Sequence, residues 1–180
     1  MHRFTRNTSA LLIIDVQERL IAAMNPARVE RLVNRTIAAI EGAKALGLPI
    51  IVTEQYPKGL GPTMKAVSER IPDFKPVEKL QFSAWLPEVK DHLGARSSVL
   101  VLGAETHVCV FQTVRALSEA GLTPYLAADA VLSRNETDER VGLELCRASG
   151  AVITTVETAL FDALVRAGGP EFKAVSAAVK

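Results

Sequence analysis

The chain has 180 residues, 48% apolar and 23% charged, and 21 Lys+Arg against 20 Asp+Glu give a formal net charge of +1. A globular chain of this length can bury roughly 70% of its unfolded surface without disulfide or metal support, and the mix excludes disorder, collagen and coiled coil. A balance so close to neutral gives no electrostatic reason to expect nucleic acid or an anionic membrane as partner.

The start, Met1-His2-Arg3-Phe4-Thr5-Arg6-Asn7, is basic, but no apolar h-region follows before Asp15 and Gln17, so no secretory leader is expected. The Asn-x-Ser/Thr triplets at Asn7, Asn34 and Asn135 then read as chance matches. Ala10–Asp15 is a continuous apolar run closed by an acid, as expected of a central parallel strand buried on both faces. Pro26 opens a helix whose Val29, Leu32, Val33, Ile37 and Ile40 recur at helical spacing, with Gly47 ending it. Pro49–Thr53 is the second strand, and Tyr56–Thr63, rich in Pro and Gly, predicts a loop. Val77–Leu80 is a weak third strand, followed by a short helix from Pro87 to His92 or Leu93. Ser98–Leu102 is the fourth strand, closed by Gly103, and Val108–Ala120 reads as a helix ended by Gly121. Thr123–Ala127 and Ala151–Thr155 are the remaining strands, with helices over Asp138–Ser149, Glu157–Ala167 and Pro170–Val179. Repeated strand–helix alternation predicts an α/β fold with a parallel sheet and helices on both faces, as one domain over residues 1–180. The longest apolar runs, Ala10–Ile14 and Val99–Leu102, are far below the roughly 18 residues of a membrane span, so no membrane partner is expected.

Ligand sites of open α/β sheets lie at the carboxyl ends of the strands, so strand endings carry the chemistry. Here they offer Asp15 and Gln17, then Thr53-Glu54-Gln55-Tyr56, then Lys79, then the loop with Glu105, His107 and Cys109. Cys109 falls where a helix is predicted to begin, and free amides and the helix dipole there would lower a thiol pKa. A small buried hydrophobe is the competing reading of that cysteine, and it is the preferred one for Cys146. Asp15, at the end of an apolar strand, is either a cap or a general base; Lys79 is either a snorkelling surface lysine or a charge partner. Their conjunction with Cys109 favours a base, a clamp and a nucleophile, with Asp15 taking the thiol proton beside Lys79. Tyr56, Phe82 and Trp85 fall near the same edge, as pocket lining or simply core. A direct Cys109–His107 pair is disfavoured by its two-residue spacing. With two cysteines, no Cys-x-x-Cys and no His-x-x-x-His, neither a disulfide framework nor zinc is expected, and a reducing, cytoplasmic setting is.

Three segments carry a resemblance: Leu11-Leu12-Ile13-Ile14-Asp15-Val16-Gln17, Lys79-Leu80-Gln81-Phe82-Ser83 and Gly103-Ala104-Glu105-Thr106-His107-Val108-Cys109-Val110. Together they resemble the isochorismatase-like cysteine hydrolases, and Thr53–Thr63 is similar to the isochorismatase-domain-containing branch. The resemblance implies a three-layer α/β/α fold with a six-stranded parallel sheet, a homo-oligomer and an Asp-Lys-Cys triad at Asp15, Lys79 and Cys109. It also implies a non-proline cis peptide at Ala104–Glu105, with backbone amides there and at Cys109 facing an oxyanion. Nicotinamidases of the family carry a metal-binding Asp-x-His after strand two; Glu54-Gln55-Tyr56 stands here, so neither metal nor other cofactor is expected. True isochorismatases lack the cysteine, so Cys109 implies hydrolysis of a C–N bond in a small amide, ureide or N-carbamoyl substrate. The alternatives are vinyl-ether hydrolysis with Asp15 as general acid, or a non-catalytic scaffold or redox-sensing oligomer. Gln17, Tyr56, Phe82, Trp85 and His107 are the pocket candidates.

Overall fold

The computed structural model describes residues 3–180; Met1 and His2, where the leader reading begins, lie outside the described residues. The chain order is β1 (Ser9–Ile14), α1 (Glu18–Ile21), α2 (Pro26–Leu46), β2 (Ile50–Gln55), α3 (Pro57–Leu60), α4 (Lys65–Ser68), β3 (Val77–Lys79) and α5 (Pro87–Leu93). It continues with β4 (Ser98–Ala104), a π-helical turn (Thr106–Val110), α6 (Phe111–Glu119), β5 (Thr123–Leu132), α7 (Glu136–Ala148), β6 (Val152–Thr154), α8 (Val156–Leu164) and α9 (Pro170–Ala178).

The strands form one six-stranded sheet in the order β3-β2-β1-β4-β5-β6, every described pairing parallel. This is the α/β architecture expected from the alternation. The chain builds outward from β1 on one side and from β4 on the other. The reversal between these two central strands is where such sheets open a crevice at their carboxyl ends. Ile14 lies beside Gly103 in the register, so Asp15 and the loop after β4 emerge next to each other.

Side chains alternate along β1 into two cores. Leu11 and Ile13 join the core under α2 and α8, and Leu12 and Ile14 join the core under α5 and α6. That two-sided burial is why β1 reads as an unbroken apolar run. The long helix α2 starts at Asn25, whose side chain accepts from the amides of Ala27 and Arg28, and stops at Gly47 in the left-handed region.

Three local expectations are corrected. The segment Tyr56–Thr63 is not all loop: Pro57–Leu60 closes one helical turn, with Gly61 N–H donating to Pro57 O at 2.9 Å. β5 runs on past Ala127 to Leu132, through a register shift opposite Val101/Gly103 that admits Asp129 into the strand. The helix carrying Cys109 begins at Thr106, and as a π turn before it becomes α6.

Candidate active site

Asp15 terminates β1 with φ 51, a left-handed conformation uncommon for a residue with a Cβ. Its amide still donates to Thr53 O at 3.2 Å, so the strand ladder ends on this residue. Gly103 supports the turn from the neighbouring strand: its φ is +122, and a Cβ there would lie 2.0 Å from Ile14 O. Only glycine lets β4 pass this close.

Both Asp15 and Lys79 are buried, and their side chains meet at 2.7 Å, Lys79 Nζ to Asp15 Oδ2. The other carboxylate oxygen, Oδ1, accepts from Thr53 Oγ1 at 2.7 Å. The ammonium also donates to Gln55 Oε1 at 2.7 Å and to Phe82 O at 3.0 Å, with Gln81 O further off at 3.4 Å. Three ammonium hydrogens thus have three near acceptors.

Cys109 lies inside the π turn, 5% exposed, with its thiol within hydrogen-bonding reach of both Asp15 and Lys79. Burial first, then the Asp15 charge, push this thiol up from an ordinary 9.0 to about 12, against the lowering influence of Lys79. The expectation of a helix-start thiolate is therefore corrected. Cys109 is the fourth residue of its turn and desolvated, and at rest it is a neutral thiol. Cys146 is also a free thiol pushed to about 12, by burial alone. Glu105 O accepts from Val108 N at 3.1 Å and Val110 N at 3.2 Å, the amides on either side of the Cys109 amide. The Ala104–Glu105 peptide bond is cis. The buried Glu105 side chain turns away to hold the Arg134 backbone amide at 3.2 Å and Arg134 Nε at 2.9 Å. Helix α7 presses on the π turn at Gly142, where a Cβ would fall 2.8 Å from His107 N.

The remaining candidates scatter. Gln17 is fully buried and spends its carboxamide on the backbone, accepting from Gln55 N at 2.7 Å and donating to Gln55 O at 3.0 Å and Gly61 O at 2.7 Å. It braces the strand end rather than facing a ligand. Glu54 is held by Thr63, whose amide and hydroxyl donate at 2.6 and 2.7 Å. His107 pairs Nδ1 with Ser133 Oγ at 3.0 Å and sets Nε2 3.8 Å from Asp138, towards α7. Trp85 packs against the second core with Lys90 Nζ 4.8 Å over its ring. Tyr56, half exposed, lines a cleft of about 400 Å³ with Pro57, Lys58, Glu78, Lys79 and Leu80. Leu80 (76%) and Phe82 (51%) stand exposed at the same edge. Thr53 and Gln55 are the site residues not singled out in advance. The signal was available, since period-two alternation puts both on one face of β2 while Glu54 takes the other.

Comparisons with known proteins agree with this fold. A family model described as the isochorismatase domain matches residues 9–158. The secreted isochorismatase effector Isc1 of Phytophthora sojae is 38% identical over 185 residues, covering 99% of this chain and 87% of its own. Isochorismatase domain-containing protein 2 of Bos taurus is 34% identical over 181 residues, covering 99% and 86%. Among solved structures, one described as MAR1 ribonuclease from Caenorhabditis elegans superposes with TM-score 0.93 at 34% identity, covering 99% of this chain and 92% of its own. The ycaC product of Escherichia coli, described as an octameric hydrolase of unknown specificity, shares the fold at TM-score 0.83 and 23% identity, covering 92% and 84%.

Proposed function

The chain belongs to the isochorismatase domain family, and from that premise we propose that it is a cysteine hydrolase cleaving the C–N bond of a small amide, ureide or N-carbamoyl compound. The observation that carries this reading is the buried Asp15–Lys79 pair at 2.7 Å with the Cys109 thiol within hydrogen-bonding reach of both. In the first step Cys109 Sγ bonds to the substrate carbonyl carbon and the thiol proton passes to Asp15. The carbonyl oxygen becomes an oxyanion, which we assign to the backbone around Ala104, Glu105 and Cys109, with the Cys109 amide as a donor. The C–N bond then breaks, the leaving nitrogen takes the proton from Asp15, and a thioester remains. Water adds to the thioester, its proton goes to Asp15, and the collapse releases acid and returns the proton to sulfur. Every group used is supplied by the chain.

Pocket recognition falls to the cleft edge formed by Tyr56, Leu80 and Phe82, and a second copy of the chain covering that apolar edge fits a homo-oligomer. The balance of 21 basic and 20 acidic residues favours a small substrate over a polyanion such as RNA. The test is a panel of small amides, ureides and N-carbamoyl compounds with wild type, Cys109→Ala and Asp15→Asn. Both variants should lose turnover, Cys109→Ala while folding normally and Asp15→Asn with the lower stability of a buried Lys79 ammonium deprived of its carboxylate. Undiminished turnover in Cys109→Ala with loss in Asp15→Asn overturns the thiol mechanism in favour of vinyl-ether-type acid catalysis. Wild-type inactivity together with a Cys109 reactivity indifferent to Lys79→Met favours the scaffold reading.

A further inference from the structure

Gln55 sits at the meeting point of three buried connections. Its register partner across the β2–β3 pair is Lys79, so the two residues leave the sheet side by side. Its carboxamide oxygen accepts from Lys79 Nζ at 2.7 Å, and its carboxamide nitrogen donates to Leu80 O at 2.7 Å. Flipping that amide would set N–H against an ammonium and oxygen against a carbonyl, so the two partners fix its orientation. The backbone beneath is locked as well. Beyond Asp15 the chain leaves the sheet, and the Gln17 carboxamide replaces the missing strand by pairing with both Gln55 N and Gln55 O, at 2.7 and 3.0 Å.

We propose that Gln55 is a positioning residue of this site: its carboxamide, braced by Gln17, holds the Lys79 ammonium between Asp15 and the Cys109 thiol. This rests on the reading of Cys109 as nucleophile. Lys79 is the one influence that lowers the thiol against burial and the Asp15 charge, so its placement governs how readily sulfur gives up its proton. The choice of glutamine follows from the partners. A neutral side chain that both accepts and donates satisfies an ammonium and a carbonyl at once, whereas a glutamate would set a carboxylate oxygen against Leu80 O and add a negative charge to a buried neutral pair.

The experiment is the pH profile of Cys109 carboxamidomethylation by iodoacetamide, read by peptide mapping with Cys146 as internal control, alongside a thermal melt. Gln55→Met keeps length and packing but removes the amide. It should move the Cys109 profile up by about one pH unit, slowing alkylation about tenfold at a fixed pH below the midpoint, and leave Cys146 unmoved. Gln55→Glu keeps an acceptor for Lys79, provides a folded alternative should the Met variant fail, and should move the profile upward through its added charge. A lower melting temperature with an unmoved Cys109 profile in either variant overturns the proposal. Lys79→Met separates the two layers of reasoning. If it moves the profile and the Gln55 variants do not, Gln55 is structural and the nucleophile reading stands. If Lys79→Met does not move it either, the Cys109 reading itself fails.

Discussion

Lys79→Met removes the only cation bonded to the Asp15 carboxylate among the described residues. Both side chains are fully buried, and at 2.7 Å with an effective dielectric of 20 their attraction is about 6 kcal/mol. That attraction offsets the desolvation of two charges, so it is not the stability lost. The loss is set by what stays behind: a buried carboxylate retaining the Thr53 hydroxyl at 2.7 Å but no ammonium. Breaking such a pair typically costs about 3–5 kcal/mol, and the Thr53 hydrogen bond places this case near 3 kcal/mol. Lys79 also leaves Gln55 Oε1 and Phe82 O without their donor, which argues against a smaller figure. Urea unfolding at pH 7 measures it, with unchanged m confirming that compactness is preserved. The double variant Asp15→Asn/Lys79→Met, carrying neither charge, should recover more than half of the loss, because the penalty belongs to an unpaired charge. A Lys79→Met protein within 1 kcal/mol of wild type would refute the reasoning, and so would a double variant as unstable as the sum of its singles.

Two further outcomes follow from the same geometry. Burial pushes the thiols of Cys109 and Cys146 from 9.0 to about 12, so the unfolded chain gives up these protons at lower pH than the folded one. Their contribution to stability is complete below pH 9 and lost as pH rises towards 12, about 4 kcal/mol for each three-unit shift. Cys146→Ala should therefore flatten the alkaline fall in urea midpoint between pH 9 and 12, and an unchanged slope would contradict the burial argument. Gly142→Ala would set a Cβ 2.8 Å from His107 N and 2.9 Å from its Cα, backbone atoms that cannot rotate away. It should cost about 1–3 kcal/mol in a melt and alter the Cys109 alkylation rate as well, since α7 must back off the π turn; a silent substitution would show that this contact does not position the turn.

What could be read in advance divides by physical cause. β1 and β4 were legible because strands buried on both faces leave an unbroken apolar trace, as in Leu11-Leu12-Ile13-Ile14. Asp15 stood out because a charge at the end of such a run is costly unless paired, and Lys79, which alone reads as a snorkelling surface lysine, stood out only by its conjunction with Asp15 and Cys109 at one sheet edge. Thr53 and Gln55 carry no charge, so only period-two alternation, which sets both on one face of β2, points to them, and it does not show which partners they hold. The environment of Cys109 was illegible for another reason. A helix-start argument assumes an exposed thiol with free amides nearby, but Cys109 is buried in the second core, whose members Ala84 and Cys146 lie far from it in the chain. The extension of β5 was hidden because Ala128-Asp129 interrupts its apolar run at the point where the pairing with β4 shifts.

A neutral resting thiol is consistent with the proposed chemistry once charge is followed through it. At rest the buried centre holds the Asp15 carboxylate and the Lys79 ammonium, net zero. A preformed thiolate beside them would leave a net negative charge in a desolvated place, and the push of Cys109 to about 12 reflects that cost. When substrate arrives, attack by sulfur and proton transfer to Asp15 neutralise the carboxylate as the carbonyl oxygen becomes an oxyanion. The centre again holds one anion and the Lys79 cation, and remains net zero. The negative charge has moved from Asp15 to the reacting oxygen, which we assign to the backbone amides, so the net charge of the centre does not change at the moment of reaction. On this account a thiolate exists only while a carbonyl is there to accept its charge. Inertness of the free enzyme towards alkylating agents at neutral pH is then what an intact site should display, and fast alkylation there would refute the neutral resting thiol.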